Sequence, residues 1–61
     1  MKVLELKRLV KKRGGRFVEE QKRHELWENP KTGQQTGIPR HNAQEIGTGL
    51  AQQILKDLGL K

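Results

Sequence analysis

No apolar stretch in this sequence is longer than two residues. A core can be assembled only from one stripe or face of each amphipathic element, with several elements each adding a little. Of the 61 residues, 31% are hydrophobic and only Phe17 and Trp27 are aromatic, so that core is thin and largely aliphatic. Chains of this length bury only about 60% of their unfolded surface. No cysteine is present to supply a disulfide or a thiolate, which fits a reducing compartment. The short apolar runs leave no transmembrane segment and no apolar region of a signal peptide. The expectation is one cytoplasmic domain over residues 1–61.

Glycine and proline divide the chain into elements. Val3, Leu6, Leu9 and Val10, with Arg13 next in the series, follow helical spacing and predict a helix over 2–13. Leu4 falls off that stripe, and Glu5 stands in register to pair with Arg8. Gly14-Gly15 ends the helix, because glycine enters the left-handed region without penalty. Residues 16–20 and 24–29 read as the two strands of an antiparallel hairpin. Asn29-Pro30-Lys31-Thr32-Gly33 is a turn, followed by a third strand over 34–38 that Pro39 closes. Residues 42–46 read as a single helical turn, with Asn42 and Glu45 at the spacing of a capping box. Thr48 is placed to cap a helix over 49–58, with Leu50, Ile54, Leu55 and Leu58 as its apolar face, Ala51 beside them and Gly59 as its C-cap. Helix, three strands, helix is an α+β order: an antiparallel sheet with both helices on one face and the other face wet or open to a partner.

Thirteen Lys and Arg against seven Asp and Glu give a formal net charge of +6. That excess points to an anionic partner, nucleic acid first and an acidic protein second. A membrane surface is disfavoured, because neither helical segment pairs a wide apolar face with bulky aromatic anchors.

With neither Cys nor Tyr, histidine is the residue type suited to proton transfer near neutral pH. Thr32 and Thr36 remain as other hydroxyl nucleophiles, without an activating neighbour in the sequence. His24 follows Lys22 and Arg23 and opens the strand that carries Leu26-Trp27. His41 and Arg40 stand at a strand-to-helix corner: His41 is expected to bond to the local backbone, and Arg40 to contact phosphate or brace the corner. Trp27 is expected to be core or to cover the sheet. His24 and His41 lie on different elements with no further ligand cluster near them, so neither a metal nor another cofactor is expected. Metal-free RNA cleavage needs less: the ribose 2′-OH is the nucleophile, one imidazole moves a proton, and Lys or Arg steadies the phosphorane. DNA has no 2′-OH and would be spared. Lys7, Lys11 and Lys12 either extend a basic surface or form an ordinary solvated helix face.

Four stretches carry a family resemblance. They are Val3-Leu4-Glu5-Leu6 with Leu9, then His24-Glu25-Leu26-Trp27-Glu28-Asn29-Pro30, then Ile38-Pro39-Arg40-His41, and the tail from Ala51 to Leu60 with Ile54-Leu55-Lys56-Asp57-Leu58-Gly59-Leu60. At this separation they resemble the HicA-type toxins, small bacterial mRNA interferases, over essentially the whole chain. The resemblance implies a double-stranded-RNA-binding-like α-β-β-β-α fold and ribosome-independent cleavage of mRNA. It implies a catalytic histidine on the second strand, at the position of His24. From the charges beside that histidine, rather than from the resemblance, Lys22, Arg23 and Arg40 are expected to contact phosphate. It also implies a HicB-like antitoxin that masks the site and through which alone DNA would be bound. In that family a glycine and a small polar residue usually precede the histidine; here Lys22 and Arg23 stand there. The alternatives are a non-catalytic RNA-binding module of the same fold, and an interaction subunit or inactive toxin relic that binds an antitoxin.

Overall fold

The computed structural model describes all residues, Met1–Lys61. Helix α1 spans Val3–Lys12, strands β1, β2 and β3 span Arg16–Glu20, His24–Asn29 and Gln34–Pro39, and helix α2 spans Thr48–Asp57. The strands form one antiparallel sheet in the order β1-β2-β3. This is the α-β-β-β-α order, an α+β fold like that of double-stranded-RNA-binding domains.

Both helices end in the same way. Gly14 has φ +104° and Gly59 φ +68°, one residue past the respective C-caps Arg13 and Leu58. At each end the glycine N–H returns to the helix, Gly14 to Lys11 and Gly59 to Lys56. The next N–H closes the wider loop, Gly15 to Val10 and Leu60 to Leu55, both at 2.8 Å. This paired closure satisfies carbonyls that a helix end leaves orphaned.

Period 2 along β2 sorts its side chains. Trp27 and Asn29 are buried and Glu25 half-buried on the helix side, while His24, Leu26 and Glu28 lie on the other face. One hydrophobic cluster holds the layers together: Val3, Leu6 and Val10 of α1, Trp27 and Ile38 of the sheet, and Ala51, Ile54, Leu55 and Leu58 of α2, with Ile46 from the connecting segment. Strand β1 lies outside this cluster; all its residues are exposed, and the register shifts between Phe17 and Glu19. Such a bulge leaves one residue, here Val18, outside the ladder.

The segment after β3 departs from expectation. Residues 42–46 form no helical turn; they run beside the N-terminus, with Lys2 and Glu45 bridged antiparallel. Val3 N–H donates to the Gln44 carbonyl and Ile46 N–H to the Met1 carbonyl. The two side chains of the expected capping box are used elsewhere: Asn42 Oδ1 accepts from Lys7 Nζ, and Glu45 accepts from the Met1 amino group at 2.7 Å. Thr48 is the first residue of α2 and Gly47 its N-cap, without a side-chain cap bond. Leu50 is 53% exposed, because the buried stripe of Ala51, Ile54, Leu55 and Leu58 is centred about a quarter of a turn away from it. Arg13 and Glu5 also differ: Arg13 is exposed and donates to the Leu60 carbonyl, and Glu5 accepts from Lys2 N–H rather than pairing with Arg8.

Candidate active site

His24 opens β2 opposite Pro39 of β3. Its side chain is on the sheet face away from the helices, exposed, and its ring makes no hydrogen bond within the chain. Gly37 lies beneath it. A Cβ at Gly37 would sit 3.5 Å from His24 Cβ and 3.6 Å from Cγ, so the ring crosses the space the glycine leaves open.

Three cations gather at this end of the sheet. Lys22 and Arg23 form the β1–β2 turn, exposed and without a carboxylate partner. Neither has positive φ, so the turn takes these side chains without the backbone conformation that would require glycine. Arg40 Nη1 donates to the Lys22 carbonyl at 2.9 Å, tying the segment after β3 to this turn. Arg40 thus braces the corner, and its remaining guanidinium N–H groups are free for an anion.

Lys7 is placed differently from its helix neighbours. Only 6% exposed, it is not part of a solvated face. Its Nζ lies 2.9 Å from Glu25 Oε1 and donates to Asn42 Oδ1 at 2.7 Å and to the Arg40 carbonyl at 3.4 Å. The amine is therefore used inside the protein, and Lys7 holds the corner from below. Lys11 and Lys12 are exposed, on the helix side of the sheet; Lys11 Nζ stands 5.7 Å from the Trp27 ring centroid. Of the expected phosphate-facing residues, Lys22, Arg23 and Arg40 come together beside His24, and Lys7, Lys11 and Lys12 do not.

Trp27 is core, 2% exposed, its Nε1 donating to Glu25 Oε1 at 3.1 Å. The His41 ring is exposed and makes no hydrogen bond; only its carbonyl does, accepting from Gln44 N–H. Thr32 lies in the turn at the far end of the β2–β3 ladder, bonded to Gln34, and Thr36 pairs with Trp27 on the helix side. Glu25 and Asn42 were not expected at the site. The alternation of β2 assigns Glu25 to the face opposite His24, but only the packing of α1 against the sheet supplies its lysine.

At the other end of the open face, Glu28 is held between Arg16 and Gln35. The Arg16 hydrogen bond, followed by that from Gln35, pulls the Glu28 carboxyl below its ordinary range. No three His, Cys, Asp or Glu side chains converge. No helix is long and apolar enough to cross a membrane.

No curated protein and no solved structure matches the chain. A family model does: that of the HicA toxin of bacterial toxin–antitoxin systems matches residues 4–60. That match runs from the first helix through the histidine-bearing hairpin to the closing turn of the second, and the chain belongs to the HicA toxin family.

Proposed function

We propose that this protein is the toxin of a toxin–antitoxin pair and acts as a metal-independent endoribonuclease on cytoplasmic mRNA, with His24 as its catalytic group. The observation that carries this reading is the free His24 ring on the open sheet face, beside the cations Lys22, Arg23 and Arg40. The ring nitrogens have no partner inside the chain and are available to a substrate.

The chemistry needs few groups. The 2′-oxygen of a ribose attacks the adjacent phosphorus, its proton passes to a base, and the P–O5′ bond breaks as O5′ gains a proton. The products are a 2′,3′-cyclic phosphate and a 5′-hydroxyl. His24 carries one of the two proton transfers, a contribution of about 10²–10⁴-fold. Lys22, Arg23 and the free N–H groups of Arg40 stabilise the charge that grows on the phosphorane. A HicB-like antitoxin silences the toxin by covering this face.

The test is incubation of the protein and its His24→Ala variant with a long RNA in EDTA, reading fragment size and 3′-end chemistry. Cleavage by the parent alone, with cyclic phosphate ends, is the expected result. RNA binding without cleavage by either protein would replace this reading with a non-catalytic RNA-binding module.

A further inference from the structure

On the helix side of the sheet, between α1 and β1, lies a groove of about 380 Å³. Leu4, Phe17, Arg8, Lys11 and Asn42 are its exposed lining, and Trp27 and Glu25 are its more buried lining. Phe17 is 47% exposed and meets Trp27 edge-on, with ring centroids 6.0 Å apart. Arg8 and Lys11 stand three residues apart on one face of α1, and neither pairs with a carboxylate. Lys7 bridges Glu25 and Asn42, using one oxygen of each, Oε1 and Oδ1. Glu25 Oε2 and Asn42 Nδ2 keep no partner in the chain, so one acceptor and one donor stay open in the groove.

We propose that this groove binds one nucleotide of single-stranded RNA, with its base against Phe17, its base edge on Glu25 Oε2 and Asn42 Nδ2, and neighbouring phosphates on Arg8 and Lys11. The proposal rests on the reading that RNA is the substrate, and adds a subsite on the sheet face opposite His24. An exposed aromatic beside cations is how single strands are held without reading a duplex. The open acceptor and donor match a pyrimidine edge, cytosine through N4–H and N3 and uracil through N3–H and O4. An acidic protein segment would use Arg8 and Lys11 equally well, but an apolar anchor would leave the donor and acceptor unused.

Trp27 is the only tryptophan, so its fluorescence reports the groove directly. The probes are short 2′-O-methyl oligocytidine and oligouridine, which lack the nucleophile and stay intact. Binding of either is expected to change Trp27 emission saturably. Phe17→Ala should weaken binding about tenfold and Phe17→Tyr should restore it. Arg8→Glu with Lys11→Glu should lower the salt dependence of log K by about 1.4. Circular dichroism checks that each variant folds. Anisotropy that shows RNA bound with silent Trp27 emission, or with Phe17→Ala unaffected, would overturn the proposal. So would displacement of the oligomers by a polyglutamate peptide. His24-dependent cleavage with a silent groove overturns the subsite alone. Groove binding without cleavage upholds the subsite and overturns only the catalytic assignment.

Discussion

Lys7 and Glu25 form the one ion pair that joins a helix to the sheet, with Nζ 2.9 Å from Oε1 and side chains only 8% and 19% exposed. The pair is not isolated. Lys7 also reaches Asn42 and the Arg40 carbonyl, and Glu25 Oε1 also accepts from Trp27 Nε1. Three segments therefore meet at two charges: α1, β2 and the loop after β3. Glu25 adjoins His24 in the chain and Arg40 braces the Lys22 turn, so this knot sets the strand and the corner on which the candidate active site stands.

Breaking the pair from one side should be costly, because it leaves the other charge largely buried without its counter-ion. Lys7→Met is expected to destabilise by about 3 kcal/mol, a large share of the roughly 5 kcal/mol typical of a small domain. The double variant Lys7→Met, Glu25→Leu should recover most of that loss, less the acceptor that Trp27 forfeits. Urea denaturation of the two single variants and the double variant checks this; a double variant no better than the singles would show that the surrounding hydrogen bonds dominate.

Asn29 ties the β2–β3 turn to the end of α2. Its Nδ2 donates to the Leu58 carbonyl at 2.7 Å in a buried position, and its Oδ1 accepts from Lys31 N–H. Asn29→Ala strands that carbonyl and is expected to cost about 1–3 kcal/mol. Asn29→Asp should also destabilise, since a carboxylate faces a carbonyl without a proton to donate. Thermal melts of both variants provide the measurement.

Glu28 makes stability sensitive to acid. Its folded carboxyl is held below the ordinary range by Arg16 first and Gln35 second, so its contribution is present above the unfolded value and fades as pH falls through the folded one. Below about pH 4, the parent should lose melting temperature faster than Glu28→Gln. At neutral pH the parent should be the more stable of the two. Parallel slopes on the acid side would remove Glu28 as the cause.

Two glycines should respond in opposite directions to alanine. A Cβ at Gly15 would overlap the Val10 side chain and crowd Leu60 at 3.1 Å, both parts of the closing turns of the helices. Gly15→Ala is expected to cost about 1–3 kcal/mol through overpacking. Gly49 is exposed inside α2 with nothing within 4 Å of its Cβ direction, so Gly49→Ala should stabilise the protein, by up to about 1 kcal/mol.

Lys22 and Arg23, the two residues before His24, should act as phosphate contacts. Replacing both by alanine in a protein with His24 intact is expected to lower the salt dependence of RNA binding by about 1.4 in slope. An unchanged slope would leave them as turn residues only.

The elements themselves were legible in the sequence. Val3, Leu6 and Val10 at helical spacing, the two glycine stops, and the Asn29–Gly33 turn between alternating strands each encode local geometry that no distant contact has to supply. The alternation of β2 likewise assigns His24 and Trp27 to opposite faces, one open and one buried. Three things depended on residues far apart in the chain. Residues 42–46 look helical by themselves, but the N-terminal segment offers their backbone a bridge, and Asn42 and Glu45 turn to Lys7 and Met1. Lys7 reads as a surface cation until α1 settles on the sheet and brings Glu25 to it. Phe17 stays exposed because the helices settle on β2 and β3 and leave β1 uncovered. Local sequence determines where a helix or strand starts, stops and turns its apolar side, because those preferences act over a few residues. Which charges are buried, and which aromatic stays in water, only the docking of one element on another decides, because desolvation depends on what arrives from elsewhere in the chain.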